Sequence, residues 1–195
     1  MLLGLEVDFF PQNIDAVVEF LAPYPWDLLV GSIHFVRGWL YDCPFSREEM
    51  ERRRVRRTYE QYFELETMLA ASGSVDVLAH ADRIKLHGLQ PAEEPLDLCA
   101  ALVAAAVATD TVVEVSSAGL RKPCAEVYPG PALLRMSREA GLAITLASDS
   151  HSADGAAWGH REVVAAARAA GYTHRTLFSA RRHTLVPLPE IRPEE

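Results

Sequence analysis

Four times along this chain a short apolar run ends abruptly in an acid or a histidine, and that recurrence limits the folds open to it. The sharpest case is Leu146-Ala147-Ser148-Asp149-Ser150-His151. A strand sends alternate side chains to the same side, so Asp149 and His151 are expected to face one way. Leu5-Glu6-Val7-Asp8, Ser32-Ile33-His34 and Leu78-Ala79-His80-Ala81-Asp82 repeat the pattern. One Asp-x-His is weak evidence. Four strand ends bearing metal-ligand chemistry argue for one shared polar site.

The segments between these runs read as helices. Strands are expected over residues 2–9, 28–33, 75–79, 111–115 and 143–147, with a weaker sixth near 176–179. A helix starts near Ile14, with Asn13 as N-cap, and stops before Pro23 and Pro25. Ser46-Arg47-Glu48-Glu49 has the form of a capping box and opens a long charged helix to residue 71. Further helices are expected over 95–108, from Pro131 to the stop at Gly141, and over 162–170. Strands alternating with helices of this length imply an α/β fold with a mostly parallel sheet and helical crossovers. Active sites in such folds form outside the carboxyl ends of the strands. Glu6, His34, His80, Asp149 and His151 all fall there.

Composition removes several alternatives. The chain has 195 residues, 49% of them hydrophobic, enough for one core and one domain. A formal net charge of -8 argues against nucleic-acid or acidic-membrane partners. Cys43, Cys99 and Cys124 show no CxxC spacing and read as reduced thiols of a cytoplasmic protein. No apolar run has the length of a membrane span, and residues 1–3 lack the basic start of a signal peptide. Neither a Gly-rich phosphate loop nor a GxSxG elbow is present. Residues 187–195, rich in Pro and acids, are expected to form a flexible tail after a domain covering 1–186.

Several motifs together resemble one family. Gly4-Leu5-Glu6-Val7-Asp8, Gly31-Ser32-Ile33-His34-Phe35-Val36, Ala79-His80-Ala81-Asp82, Ser117-Ala118-Gly119-Leu120-Arg121-Lys122 and Ser148-Asp149-Ser150-His151 are similar to the motifs of PHP-domain metallophosphoesterases. The SIHF segment, followed by Trp39 and Asp42, and the AGLRK segment point to the histidinol-phosphatase branch. The resemblance implies a distorted β/α barrel holding up to three divalent metals (Zn, Mn or Fe). It also implies hydrolysis of histidinol phosphate, a small phosphorylated metabolite, in histidine biosynthesis. By position, Glu6 bridges two metals, His34 and His80 complete one of those sites, Asp149 binds the other bridged metal, and His151 binds the third. Carboxylates and neutral imidazoles are the ligand types such ions take. Arg121 and Lys122 are expected to grip phosphate, with Arg83 and Lys85 as second candidates.

The family's H-x-H pair lies upstream of the segment that Glu6 matches. Here Met1 stands five residues before Glu6, and none of the seven histidines forms H-x-H. The expected fold is therefore a partial, open barrel of PHP type, missing about two β/α units of a ~250-residue barrel and ligands of two of the three metals. A start placed too far downstream and a truncated relative both fit. An internal strand left at an edge is also expected to favour self-association through residues 2–9. Three functions follow: histidinol-phosphate phosphatase, another PHP phosphoesterase, or a non-catalytic remnant packed on another chain.

Each residue also has a plainer reading. Taken singly, His34 and His80 fit core histidines, Glu6 a solvent-facing edge residue, and Arg121 and Lys122 a solvated loop pair. Asp8 and Asp82 read as turn or capping residues. His87, His160, His174 and His183 read as surface residues, and Trp39 as either a substrate border or a packed loop aromatic. The basic run 52–57 reads as a helix face paired with Glu48, Glu49, Glu51 and Glu60.

Overall fold

A computed structural model describes residues 2–43 and 45–191. Its first strand, β1 (Gly4–Asp8), buries Val7 among the core side chains and leaves Glu6 and Asp8 on the other face. Helix α1 (Ile14–Leu21) leads to β2 (Leu28–Ser32), followed by a small hairpin of β3 (Phe35–Val36) and β4 (Trp39–Leu40). Helices α2 (Ser46–Arg52) and α3 (Val55–Ser72) return the chain to β5 (Val77–Leu78). A 3-10 turn (Arg83–His87) and α4 (Leu96–Thr109) precede β6 (Val112–Ser116). Helix α5 (Pro131–Glu139), β7 (Ile144–Ala147), α6 (His160–Ala169), β8 (His174–Ser179) and β9 (Arg182–Pro187) complete the order.

The five parallel strands run β1-β2-β5-β6-β7, and among the described residues β1 and β7 form open edges. This is the expected open β/α barrel. Its outer face packs Leu29, Leu78, Val113 and Ile144 into one core with Leu69, Leu102, Leu134 and Val163 of the helices. Its inner face carries a second, smaller cluster of Val77, Val112 and Phe178. Strand parity places Glu6, Asp8, Ser32 and Glu114 on that same inner face, toward the carboxyl ends.

Several local expectations differ from the structure. The weak sixth strand is half of an antiparallel hairpin, β8–β9, outside the parallel sheet. Phe178 of β8 joins the inner apolar cluster, and the Arg181 backbone N–H donates to the Asp27 carbonyl at 2.9 Å. The hairpin thus covers the end of the sheet opposite the site. Ser46 is no N-cap: its hydroxyl donates to the Leu40 carbonyl at 2.8 Å, while Glu49 accepts from Arg52 and Arg53. The single long helix is two helices, divided where Arg54 adopts φ 65° and the Arg53 guanidinium lies 4.9 Å over the Trp39 ring. That contact makes Trp39 a packed aromatic. Within the basic run, Arg52 and Arg53 pair with Glu49 and Arg56 pairs with Glu60, helical ion pairs of the anticipated kind. His87 is buried and donates from Nε2 to the Tyr41 carbonyl at 2.9 Å, so it is a core residue. Pro187 closes β9 and Leu188 is buried, so the expected tail loses its first two residues to the fold; 192–195 lie outside the described residues.

Candidate metal centre

Glu6, His34 and His80 meet at the carboxyl end of the sheet. Glu6 Oε1 lies 3.7 Å from His34 Nε2 and 3.4 Å from His80 Nε2, and one ligand atom from each residue falls within 4.8 Å of the others. Ligand atoms held at about 2.1 Å around a tetrahedral ion stand about 3.4 Å apart, so the set fits a divalent cation. Protonation fits as well. Burial holds His80 below the usual imidazole range, which favours the neutral ring a metal needs. The hydrogen bond from His80, against some opposing burial, lowers the Glu6 carboxyl to about 2.

Two further carboxyl groups set the histidines. Asp8 Oδ1 accepts from His34 Nδ1 at 2.6 Å. A carboxylate has no proton to donate at neutral pH, so the His34 proton sits on Nδ1 and a neutral ring leaves Nε2 free toward Glu6. Glu114 Oε2 accepts from the His80 backbone N–H at 2.9 Å. Burial raises the Glu114 carboxyl to about 8.

Beside this set the surface opens into two depressions of about 410 and 380 Å³ that share Arg83, Asp149 and His151 as walls. The first also contains Glu6, Asp8 and His34, and the second contains Arg121 and Lys122. Arg83 is nearly buried and clamps two acids, donating to Asp42 Oδ2 at 2.6 Å and to Asp149 Oδ2 at 2.9 Å. Burial opposes its charge, but the carboxylates more than offset this and raise its pKa. Arg121 donates to the Ser148 carbonyl at 2.8 Å, and its guanidinium lies 4.8 Å over the Trp158 ring. The turn bearing Arg121 needs glycine at 119. A side chain there would stand 2.9 Å from the Tyr128 ring and closer still to the Glu126 carbonyl.

No protein-family model matches the chain. Over 150 residues it is 37% identical to a probable histidinol-phosphatase of Deinococcus radiodurans, a match covering 76% of this chain. The chain is a relative of the histidinol-phosphatases. It spans 56% of the length of that Deinococcus protein. Its fold superposes with a TM-score of 0.79 on histidinol phosphate phosphatase from Lactococcus lactis, solved with zinc, L-histidinol and phosphate. Identity there is 16%, with 94% of this chain and 71% of that one covered. A putative histidinol phosphatase from Listeria monocytogenes gives a TM-score of 0.70 at 21% identity, covering 82% and 66% respectively.

In this histidinol-phosphatase relative, three of the five expected metal ligands form one tight set. Asp149 and His151 line the same depression but stand outside that set, because Arg83 holds Asp149 and the His151 side chain is 89% exposed. Lys85 is not where the sequence placed it. It is buried in a separate cavity, and Asp82, Glu126 and the Val127 carbonyl accept all three of its protons. Asp82 also accepts from the Gly130 backbone N–H at 2.7 Å, so it anchors the start of α5. The sequence reading missed Asp8 and Glu114 as partners of the histidines. Parity with Glu6 was a signal for Asp8, and a lone acid between Val113 and Val115 was one for Glu114. Among the described residues Cys43, Cys99 and Cys124 are free thiols, and no helix is long and apolar enough to cross a membrane.

Proposed function

We propose that this chain is a histidinol-phosphate phosphatase of histidine biosynthesis, acting in the cytoplasm and releasing histidinol and phosphate with the help of divalent metal ions. The observation that carries this reading is the Glu6–His34–His80 donor set beside a wall of cationic side chains. The zinc, L-histidinol and phosphate bound by the Lactococcus protein support the same chemical class.

Glu6, His34 and His80 would hold a zinc, manganese or iron ion. A bound ion supplies an acidified water and neutralises phosphoryl oxygens. Asp149 commits Oδ2 to Arg83, so its Oδ1, together with His151, is assigned to further ions, up to three in all. Arg121 and Lys122 bind the phosphoryl oxygens, and Arg83 holds the wall between metal and phosphate ends in place. The open edge of β1 supports self-association through that strand, which light scattering of this chain tests.

The test is phosphate release from histidinol phosphate, set beside a panel of sugar and nucleotide monophosphates. Hydrolysis should require a divalent ion, favour histidinol phosphate, and disappear in His34→Ala and Asp149→Ala. Undiminished turnover after verified metal removal would overturn the metal mechanism. A preference for another ester would favour a different small-molecule phosphoesterase. Zinc binding without any hydrolysis would favour a non-catalytic relative.

A further inference from the structure

Beside the metal set lies a buried carboxyl to which the metal reading gives no chemical task. Glu114 lies in the middle of β6, 9% exposed, with no cation at ion-pair distance among the described residues. Burying such a group is costly unless it is hydrogen-bonded. The bond it makes goes to the backbone N–H of His80.

His80 stands where β5 leaves the sheet. Its neighbour Ala79 still donates to the Gly31 carbonyl of β2 at 2.9 Å. The paired register of β5 with β6 has ended at Leu78 and Val113, so no ladder partner continues on the β6 side. A carboxyl oxygen of Glu114 takes the place of that partner. On its other flank the His80 carbonyl accepts from the Arg83 backbone N–H at 2.8 Å. Between these two bonds His80 adopts φ 29°, a left-handed backbone that residues with a side chain seldom occupy. From that turn its Nε2 reaches Glu6 Oε1 at 3.4 Å.

We propose that Glu114 is a positioning residue: by accepting the His80 N–H it holds the left-handed turn that aims the His80 imidazole at the Glu6–His34 pair. The assignment rests on the metal reading of those three residues. It makes the reach of the side-chain acceptor the decisive property, with its charge secondary. Glu114→Gln keeps an oxygen acceptor at the same reach on a group that cannot ionise. Glu114→Asp keeps the carboxyl group and withdraws the acceptor by one methylene.

The experiment measures zinc affinity of the full chain by competition with a chelating dye, together with the visible absorption of the cobalt-loaded protein. Circular dichroism confirms that each variant is folded. The Gln variant should bind zinc within a fewfold of the parent and keep its cobalt spectrum. The Asp variant should lose about 10–100-fold in affinity, the scale of outer-sphere metal partners, with a shifted spectrum. Asp binding like the parent, or Gln falling as far as Asp, would overturn the assignment. A parent chain that binds no zinc, or binds it equally well as His80→Ala, would instead remove the metal reading and this role with it.

Discussion

Asp8 Oδ1 and His34 Nδ1 stand 2.6 Å apart, joining the last residue of β1 to a residue two beyond the end of β2. The bond selects the tautomer that turns Nε2 toward Glu6, the arrangement by which outer carboxylates tune metal-bound histidines. Asp8→Ala is therefore expected to weaken zinc binding by about 10–100-fold while leaving the far-UV spectrum unchanged. A competition titration against a zinc dye reads this directly, and unchanged affinity would separate Asp8 from the site.

Arg83 holds two acids at once, with 7% of its side chain exposed against 19% for Asp42 and 15% for Asp149. Replacing it by Met leaves two mostly buried carboxylates without their cation. The expected loss is roughly 3–5 kcal/mol of stability, as for other buried pairs broken from one side. Urea unfolding at neutral pH measures it. Adding Asp42→Asn to the Met variant should recover part of the loss, since one uncompensated charge then disappears.

Arg121 reaches its place from two directions, through the Ser148 carbonyl and the face of Trp158. Once hydrolysis is established, Arg121→Ala should lower kcat/KM by roughly 10–100-fold, matching charged hydrogen bonds of about 1.5–3 kcal/mol. A contact made equally in ground and transition states appears as a rise in KM with kcat preserved. Trp158→Leu should produce a smaller rise of the same kind, about two- to fivefold, since an exposed cation–π contact contributes about 0.5–1 kcal/mol. A fall in kcat alone would place Arg121 in the chemical step.

Glu66 makes stability depend on pH. It is fully buried on α3, accepts from the Tyr62 hydroxyl at 2.7 Å through Oε1, and has no partner at Oε2. Burial holds its carboxyl well above the ordinary 4.5 despite the Tyr62 bond, so the folded state keeps a proton that the unfolded chain releases. With more protons bound in the folded state, this contribution is fully present below about pH 4.5 and is lost as pH rises toward the folded value. Glu66→Gln should therefore gain thermal stability over the parent progressively above about pH 4.5. Melting curves across weakly acidic to neutral pH test the slope. A difference that shrinks as pH rises would mean the carboxyl is ionised in the fold.

Much of the architecture was legible locally. The period-two pattern of Glu6 and Asp8 against Val7, the helix start at Pro131 and the stop at Gly141 are properties of a few adjacent residues, and they set strand ends and helix limits. The acid and histidine at each strand end were legible for the same reason, and a parallel sheet then gathers them at one end. What tertiary structure alone decided was who meets whom. Asp8 and His34 are 26 residues apart, Glu114 and His80 are 34 apart, and Arg83 and Asp149 are 66 apart. Lys85 had the right charge and the right neighbourhood in sequence, yet three acceptors from Asp82 and the 126–127 turn claimed it. The direction of β8 and the break at Arg54 were equally closed to local reading, since contacts to Phe178, Asp27 and Trp39 come from distant segments. Hydrogen-bond partners are selected by packing across the whole chain, and local pattern specifies only which side chains are offered.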